Sequence, residues 1–161
     1  MIDCQLLAGN GSSAVTRLSK FMLITTRRAI PEDLEWLDRL YERLMRPYVE
    51  LTHEWKEEVF RENFSPDRMD IIQVDGVDAG MLSVVEKTDH IYIADMQLAE
   101  TYQRRGIGSD LITRVIESAR ERHLPVRLRV LIGNPAIHLY KRHGFNIVEE
   151  LDNCFVLECS T

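Results

Sequence analysis

Between His90 and Leu131 an apolar run passes through a basic turn holding two glycines into a long helical stretch and then into a second run rich in valine and leucine. Read as a strand over His90–Leu98, a helix over Gly106–His123 and a strand over Val126–Leu131, this is a β-α-β unit. Such a crossover sets two strands parallel, so the sheet that holds it cannot be a plain antiparallel meander.

The flanking segments set the rest of the architecture. Phe21–Arg27 reads as a β-branched strand, and Pro31-Glu32-Asp33 as a first helical turn with its acids near the positive end of the dipole. Leu34, Leu37, Tyr41, Leu44 and Met45 recur at three- and four-residue steps, giving a core-directed helix that Pro47 is expected to end. Thr52 is placed to cap a second helix over His53–Phe64, which carries Trp55, Val59 and Phe60 on one side, before Ser65-Pro66-Asp67 breaks the pattern.

Ile71–Val74, Asp75-Gly76 and Val77–Glu86 form a hairpin signal, because Asp-Gly tolerates the positive φ of a tight turn. Downstream, Asn134–His143 reads as a short helix, and Phe145–Glu149 and Cys154–Glu158 as closing strands. The order predicts an α+β domain with a mixed sheet, antiparallel hairpins leading into one parallel crossover.

A chain of 161 residues with 45% apolar and 29% charged side chains fits one folded domain. Residues 1–20, with the run Gly9-Asn10-Gly11-Ser12-Ser13, lack periodicity and read as a flexible extension ahead of a domain over 21–161. The net charge of -6 argues against a nucleic-acid partner. Three cysteines, Cys4, Cys154 and Cys159, form no C-x-x-C pair and read as thiols of a reducing compartment. With no stretch of spanning length and no secretory leader, no membrane is expected and the cytoplasm is the expected location.

The most informative segment is Gln103-Arg104-Arg105-Gly106-Ile107-Gly108-Ser109. A helix start leaves several N–H groups without internal partners and concentrates partial positive charge, so it suits an anion. Gly106 and Gly108 keep side chains out of the way, Arg104 and Arg105 add positive charge, and Ser109 offers a hydroxyl. Spacing alone also admits a plain turn with solvated arginines. The dinucleotide fingerprint G-x-G-x-x-G fails because Leu111 stands where its last glycine belongs, and the Walker G-K-[ST] is absent.

Gln103–Gly108 resembles the Q/R-x-x-G-x-G/A pyrophosphate loop of the GCN5-related N-acetyltransferase (GNAT) superfamily. Asn134-Pro135-Ala136-Ile137-His138-Leu139-Tyr140-Lys141-Arg142-His143-Gly144-Phe145 is similar to that family's N-x-x-A-x-x-L-Y-x-x-x-G-F block, with the alanine one position early. The resemblance runs over roughly 22–158. It implies a mostly antiparallel sheet of six to seven strands flanked by about four helices and splayed between strands 4 and 5, where the pantetheine arm of acetyl-coenzyme A enters.

It further implies that Met96, Gln97 and Leu98 offer backbone groups to the pantetheine, that Gln103, Arg104, Arg105, Gly106, Ile107, Gly108 and Ser109 hold the pyrophosphate, and that Asn134 binds near the pantetheine besides capping its helix. Tyr140 becomes the acid beside the sulfur, and the Leu98 N–H the donor to the acetyl carbonyl. The activity implied is acetyl transfer to a primary amine of a small molecule, or less readily of a protein; a non-catalytic acetyl-coenzyme A binding or sensing module is the alternative. By the same analogy a homodimer would form through the last strands, Cys154–Glu158.

The proton acceptor is not marked by any motif. Glu100 ranks first, ahead of Asp95, His53, Glu54 and Glu57, and each also reads as a solvated charge. His53, Trp55 and Phe60 are candidates to line an acceptor pocket. His138 and His143 diverge on their helix and His90 and His123 stand alone, so no metal set is expected.

Overall fold

The computed structural model describes residues 22–161. The extension expected over residues 1–20 lies outside the described residues, as does Phe21 at the start of the first expected strand.

Seven strands form one sheet: β1 (Ile24–Arg28), β2 (Asp70–Val74), β3 (Val77–Glu86), β4 (Ile91–Leu98), β5 (Val126–Leu131), β6 (Asn146–Glu150) and β7 (Cys154–Cys159), in the order β1-β2-β3-β4-β5-β7-β6. Every neighbouring pair is antiparallel except β4 and β5, which are parallel. Four α-helices accompany them among the described residues: α1 (Leu34–Val49), α2 (Glu58–Asn63), α3 (Ile107–Glu121) and α4 (Ala136–Arg142). The hairpin β2–β3 turns at Asp75 and Gly76, whose φ angles of 52° and 81° are those the Asp-Gly pair anticipates.

Two helices depart from the sequence expectation. α1 does not stop at Pro47 but runs through it to Val49. The proline falls in the last turn, where it forfeits one bond, to the Arg43 carbonyl, and leaves the helix before it intact; Arg46 spans it with ion pairs to Glu42 at 2.9 Å and Glu50 at 2.7 Å. The second helix starts at Glu58 rather than His53. Thr52 and His53 turn their N–H groups back to the Val49 carbonyl, at 3.1 and 2.8 Å, and the Thr52 hydroxyl bonds the His53 ring instead of capping a helix.

α1 covers one face of the sheet and buries Leu37 and Leu40 with Phe60, Ile71 and Met81. On the other face Ile107, Leu111, Ile112 and Tyr140 from α3 and α4 pack with Ile93, Val126, Leu128 and Leu157. β7, the strand offered to a partner by family analogy, is flanked on both sides, and the outer edge belongs to β6, with Ile147 and Val148 exposed.

The feature that positions the site is an interrupted pairing. β4 and β5 pair only from Ile91–Val126 to Ile93–Leu128, although β4 continues to Leu98 and β5 to Leu131. At that point β3 pairs Val84 with Ile93 and Ser83 with Asp95, so Ala94 is an unmatched extra residue on β4. A bulge of this kind bends its strand, and here it turns β4 away from β5. The sheet is therefore splayed where the family resemblance expects it.

The far edge is held by one arginine. Arg27 on β1 donates to both carboxylate oxygens of Asp33 at 2.8 Å and to Asp78 on β3 at 2.6 Å, and Asp33 also accepts the Ile30 N–H. Hydrogen bonds from Arg27 hold both carboxyls below the usual aspartate range. A depressed folded pKa contributes stability that is present above about pH 4 and lost as pH falls through the folded value. Arg27→Ala is expected to cost about 2 kcal/mol in denaturant unfolding at pH 7, because it leaves two facing carboxylates, and much less at pH 2.5.

Candidate functional site

β4 ends in a 3-10 turn over Glu100–Tyr102, and the chain then enters α3 through Gln103, Arg104 and Arg105. Gln103 Nε2 donates to the Leu98 carbonyl at 2.8 Å, which braces the loop against the strand it leaves. Arg104 and Gly106 take φ angles of 57° and 84°, so the backbone coils left-handedly just before the helix. A Cβ on Gly106 would meet nothing within 4 Å, so the space in front of the helix start is open.

The hydrogen-bond inventory of this loop is distinctive. The first N–H beyond Gln103 to find an acceptor is that of Asp110, which bonds the Gly106 carbonyl at 3.0 Å. The six N–H groups from Arg104 to Ser109 have no protein partner among the described residues. Such a run at the start of a 15-residue helix is a concave donor array. The guanidinium groups of Arg104 and Arg105 make no ion pair among the described residues, and Arg105 lies over the Tyr102 ring at 5.8 Å. Ser109 differs from expectation in one respect: its hydroxyl is already bonded to His143 Nε2 at 3.0 Å, which ties α3 to the end of α4.

The splay also exposes backbone groups. Ala99 N–H bonds the Ala79 carbonyl at 2.9 Å, and donors along a strand alternate between its edges. Gln97 therefore faces β3, where a side chain at Gly80 would lie 2.0 Å from the Gln97 carbonyl, while Met96 and Leu98 direct their N–H groups to the edge that β5 has left. Just past the end of β5, Asn134 Oδ1 accepts the Ala136 N–H at 2.9 Å and caps α4. Tyr140 on α4 is 7% exposed, and its ring meets Phe145 edge-on at 5.8 Å. Burial pushes its phenol up to about 12, so it stays protonated at any working pH.

Just beyond the bulge stands Asp95. The register puts Tyr92, Asp95 and Gln97 on the sheet face covered by α1, because Ala94 resets the alternation between Tyr92 and Asp95. Ser83, directly opposite on β3, gives its hydroxyl hydrogen to the Arg68 carbonyl at 2.8 Å. Asp95 thus has no donor or cation among the described residues, and burial raises its carboxyl to about 6. Its charge reaches Tyr41 on α1, Tyr92 on β4 and Tyr140 on α4, raising each phenol further.

The other candidates lie elsewhere. Glu100 is 54% exposed and paired with Arg43 at 3.4 Å. His53, Glu54 and Glu57 are exposed in the segment before α2. Phe60 is core, stacked on Tyr41 at 4.7 Å, and Trp55 joins Glu42, Asp38, Glu57, Glu58 and Arg61 around an open depression of about 420 Å³. Past α1, Leu51 reaches the turn after β5, with a methyl 2.8 Å from where a Gly133 side chain would begin. That contact spans the splay on the α1 face. Among the described residues no group of three His, Cys, Asp or Glu is placed to hold a metal ion, and no helix is long and apolar enough to cross a membrane.

Reading the sequence did not single out Tyr41, Tyr92 or His143. The first two look like ordinary stripe residues until the bulge turns Asp95 toward them, and His143 meets Ser109 only through tertiary packing of α3 on α4.

Comparison with known proteins gives consistent results. The family model described as Acetyltransferase (GNAT) family matches residues 35–145. No curated protein matches the sequence. Among solved structures, the chain is similar to the PaiA N-acetyltransferase of Thermoplasma acidophilum in complex with coenzyme A, at 17% identity and a TM-score of 0.70 over 86% of this chain and 99% of that one. It is also similar to the ribosomal-protein-S18-alanine N-acetyltransferase of Escherichia coli, at 20% identity and TM-score 0.63 over 86% and 94%. Arabidopsis thaliana Naa50, in complex with the bisubstrate analogue CoA-Ac-MVNAL, superposes with TM-score 0.62 at 19% identity over 86% and 99%. At these identities the likeness is one of fold.

A half-buried carboxylate without a partner among the described residues weakens the fold once it is charged. Because the folded pKa of Asp95 lies above the unfolded one, stability falls as pH rises from about 4 to about 6 and the deficit persists above. Asp95→Asn is expected to be more stable than the parent by about 2 kcal/mol at pH 8 and equal to it at pH 4. Parallel urea titrations at the two pH values decide it; an equal effect at both would place Asp95 in open solvent.

Proposed function

As the chain belongs to the acetyltransferase (GNAT) family, we propose that it transfers an acetyl group from acetyl-coenzyme A to a primary amine of a small molecule, by direct attack in a ternary complex. The observation that carries this reading is the run of six unpartnered N–H groups between Arg104 and Ser109, flanked by two unpaired guanidinium groups and opening on free space above Gly106. A diphosphate satisfies such an array, and no described residue does so. The coenzyme A bound in the Thermoplasma acidophilum protein supports the same ligand here.

In this reading Gln103 braces the loop, Arg104 to Ser109 hold the pyrophosphate, and the free edge of β4 at Met96 and Leu98 pairs with the pantetheine amides as a neighbouring strand would. Gln97 shapes that edge by binding β3, and Asn134 lies just past the end of β5 with its amide nitrogen uncommitted. Acetyl-coenzyme A supplies an activated thioester carbonyl. The Leu98 N–H is the donor to that carbonyl oxygen, a preorganised dipole that favours the charge developing there.

Tyr140 serves the departing sulfur. With its phenol near 12, against about 8.5 for a thiol, it donates a hydrogen bond rather than surrendering its proton outright. The contact of Leu51 with Gly133 across the α1 face favours a compact acceptor over an extended polypeptide.

Calorimetric titration with coenzyme A tests the donor site. Gly106→Glu places a carboxylate in the open space before α3 and is expected to weaken binding at least 100-fold; no binding by the parent protein would overturn the reading. Tyr140→Phe is expected to lower kcat about tenfold for thiol release, with affinity for coenzyme A within threefold of the parent. Unchanged kcat would remove Tyr140 from the chemistry, and a parent that binds coenzyme A but releases no thiol with any amine would mark a binding module.

A further inference from the structure

We infer that Asp95, at the mouth of the splay between β4 and β5, is the group that takes the proton from the incoming ammonium, and that Glu100 is not; this rests on the acetyl-transfer reading above. The placement is built by the fold. Pairing of β4 with β5 ends at Ile93, the unmatched Ala94 follows, and Asp95 is the first residue beyond the bulge. Without the extra residue Asp95 would point to the α3 side, into the apolar layer of Ile93 and Leu82. With it, the carboxylate shares a face with Tyr92 beneath α1, beside the free edge of Met96 and Leu98.

Its surroundings suit a proton acceptor. Ser83 has spent its hydrogen on Arg68, so nothing on β3 stabilises the carboxylate. Its charge acts on three phenols: Tyr41 on α1 and Tyr92 on its own strand, which lie on its face of the sheet, and Tyr140 on α4, which belongs to the core layer of the other face. Burial keeps all three protonated, with Tyr41 and Tyr140 near 12. Arg129 on β5, which the register puts on the same sheet face as Tyr92, and Cys154 on β7 also act on Tyr92. Asp95 makes no ion pair among the described residues, yet its oxygens are not among the atoms sealed from solvent, so an amine or one bridging water has access.

Glu100 has none of these properties, being exposed and paired with Arg43. An acceptor near 6 is charged at neutral pH and about two units closer to an ammonium than an ordinary aspartate, which lowers the cost of the transfer.

The proton balance closes without a further reactant. The carboxylate of Asp95 accepts one proton from the ammonium and later releases it to water. The neutral nitrogen forms a bond to the thioester carbon as the carbon–sulfur bond breaks, the sulfur keeps that bonding pair, and the second nitrogen proton ends on the sulfur as free thiol, with Tyr140 bonded to it.

The test is thiol release from acetyl-coenzyme A between pH 5.5 and 9, with spermidine, kanamycin, L-lysine and a short peptide as acceptors, for the parent, Asp95→Asn and Glu100→Gln, alongside calorimetry with coenzyme A. The expected result is parent turnover whose kcat/KM rises through an acid limb near pH 6. Asp95→Asn should keep its affinity for coenzyme A, lose the limb and lose at least 100-fold in kcat/KM. Glu100→Gln should lose less than threefold. Turnover by Asp95→Asn within fivefold of the parent, or a larger loss at Glu100, overturns this inference while acetyl transfer stands. A parent that turns over none of the four acceptors overturns both.

Discussion

The parting of two strands that begin as neighbours organises this molecule. β4 and β5 are joined by a helical crossover and start in parallel register, yet pairing stops after three residue pairs because Ala94 is inserted opposite nothing. A parallel pair normally satisfies the backbone of both strands along their shared length. Here the unused half of that hydrogen-bonding potential is left as a free strand edge, at Met96 and Leu98. The same insertion resets which face each later β4 side chain occupies, so one extra residue opens the cleft and also decides what lines it.

The loop from Gln103 to Ser109 follows similar logic at the end of the same strand. Six successive N–H groups without partners among the described residues would be an expensive defect inside a protein, but they cluster at the helix start and open on free space. The left-handed turn through Arg104 and Gly106 converges these groups, and Gln103 holds the turn to the end of β4. Against a net charge of -6, the local concentration of positive charge from Arg104, Arg105 and the helix dipole stands out from the chain as a whole. A splayed strand edge and an anion cradle at its tip together describe the shape of an extended, amide-bearing ligand with a charged end.

What the sequence revealed and what it hid divide along physical lines. The β2–β3 hairpin and the β4-α3-β5 crossover rest on local signals: Asp75-Gly76 can adopt two positive φ angles, and α3 presents an apolar stripe after a glycine-marked start. The glycine-marked helix start with its two arginines was legible for the same reason, because helix entry, glycine and arginine are neighbours in the chain. Pro47 misled because a proline in a final turn forfeits only one hydrogen bond, which Arg46 and its two carboxylates offset. Thr52 misled because its hydroxyl found the His53 ring, and no local rule ranks that partner over a helix cap. The bulge at Ala94 leaves no mark at all: it exists only in the pairing of β4 with β3, and the orientation of Asp95 depends on it.

That last point explains why two carboxylates five residues apart differ so much in chemistry. From sequence Glu100 looks better placed, since it follows the strand that borders the cleft. In the fold it has passed the end of the strand and meets Arg43 and water. Asp95 is kept under α1 by a register shift, opposite a serine committed elsewhere and among phenols that themselves resist ionisation. A fold selected for stability alone would neutralise or pair such a group, because burying it charged costs about 2 kcal/mol at neutral pH. Retaining the charge unpaired at the one place where the sheet opens fits a residue kept for what approaches it rather than for what it packs against.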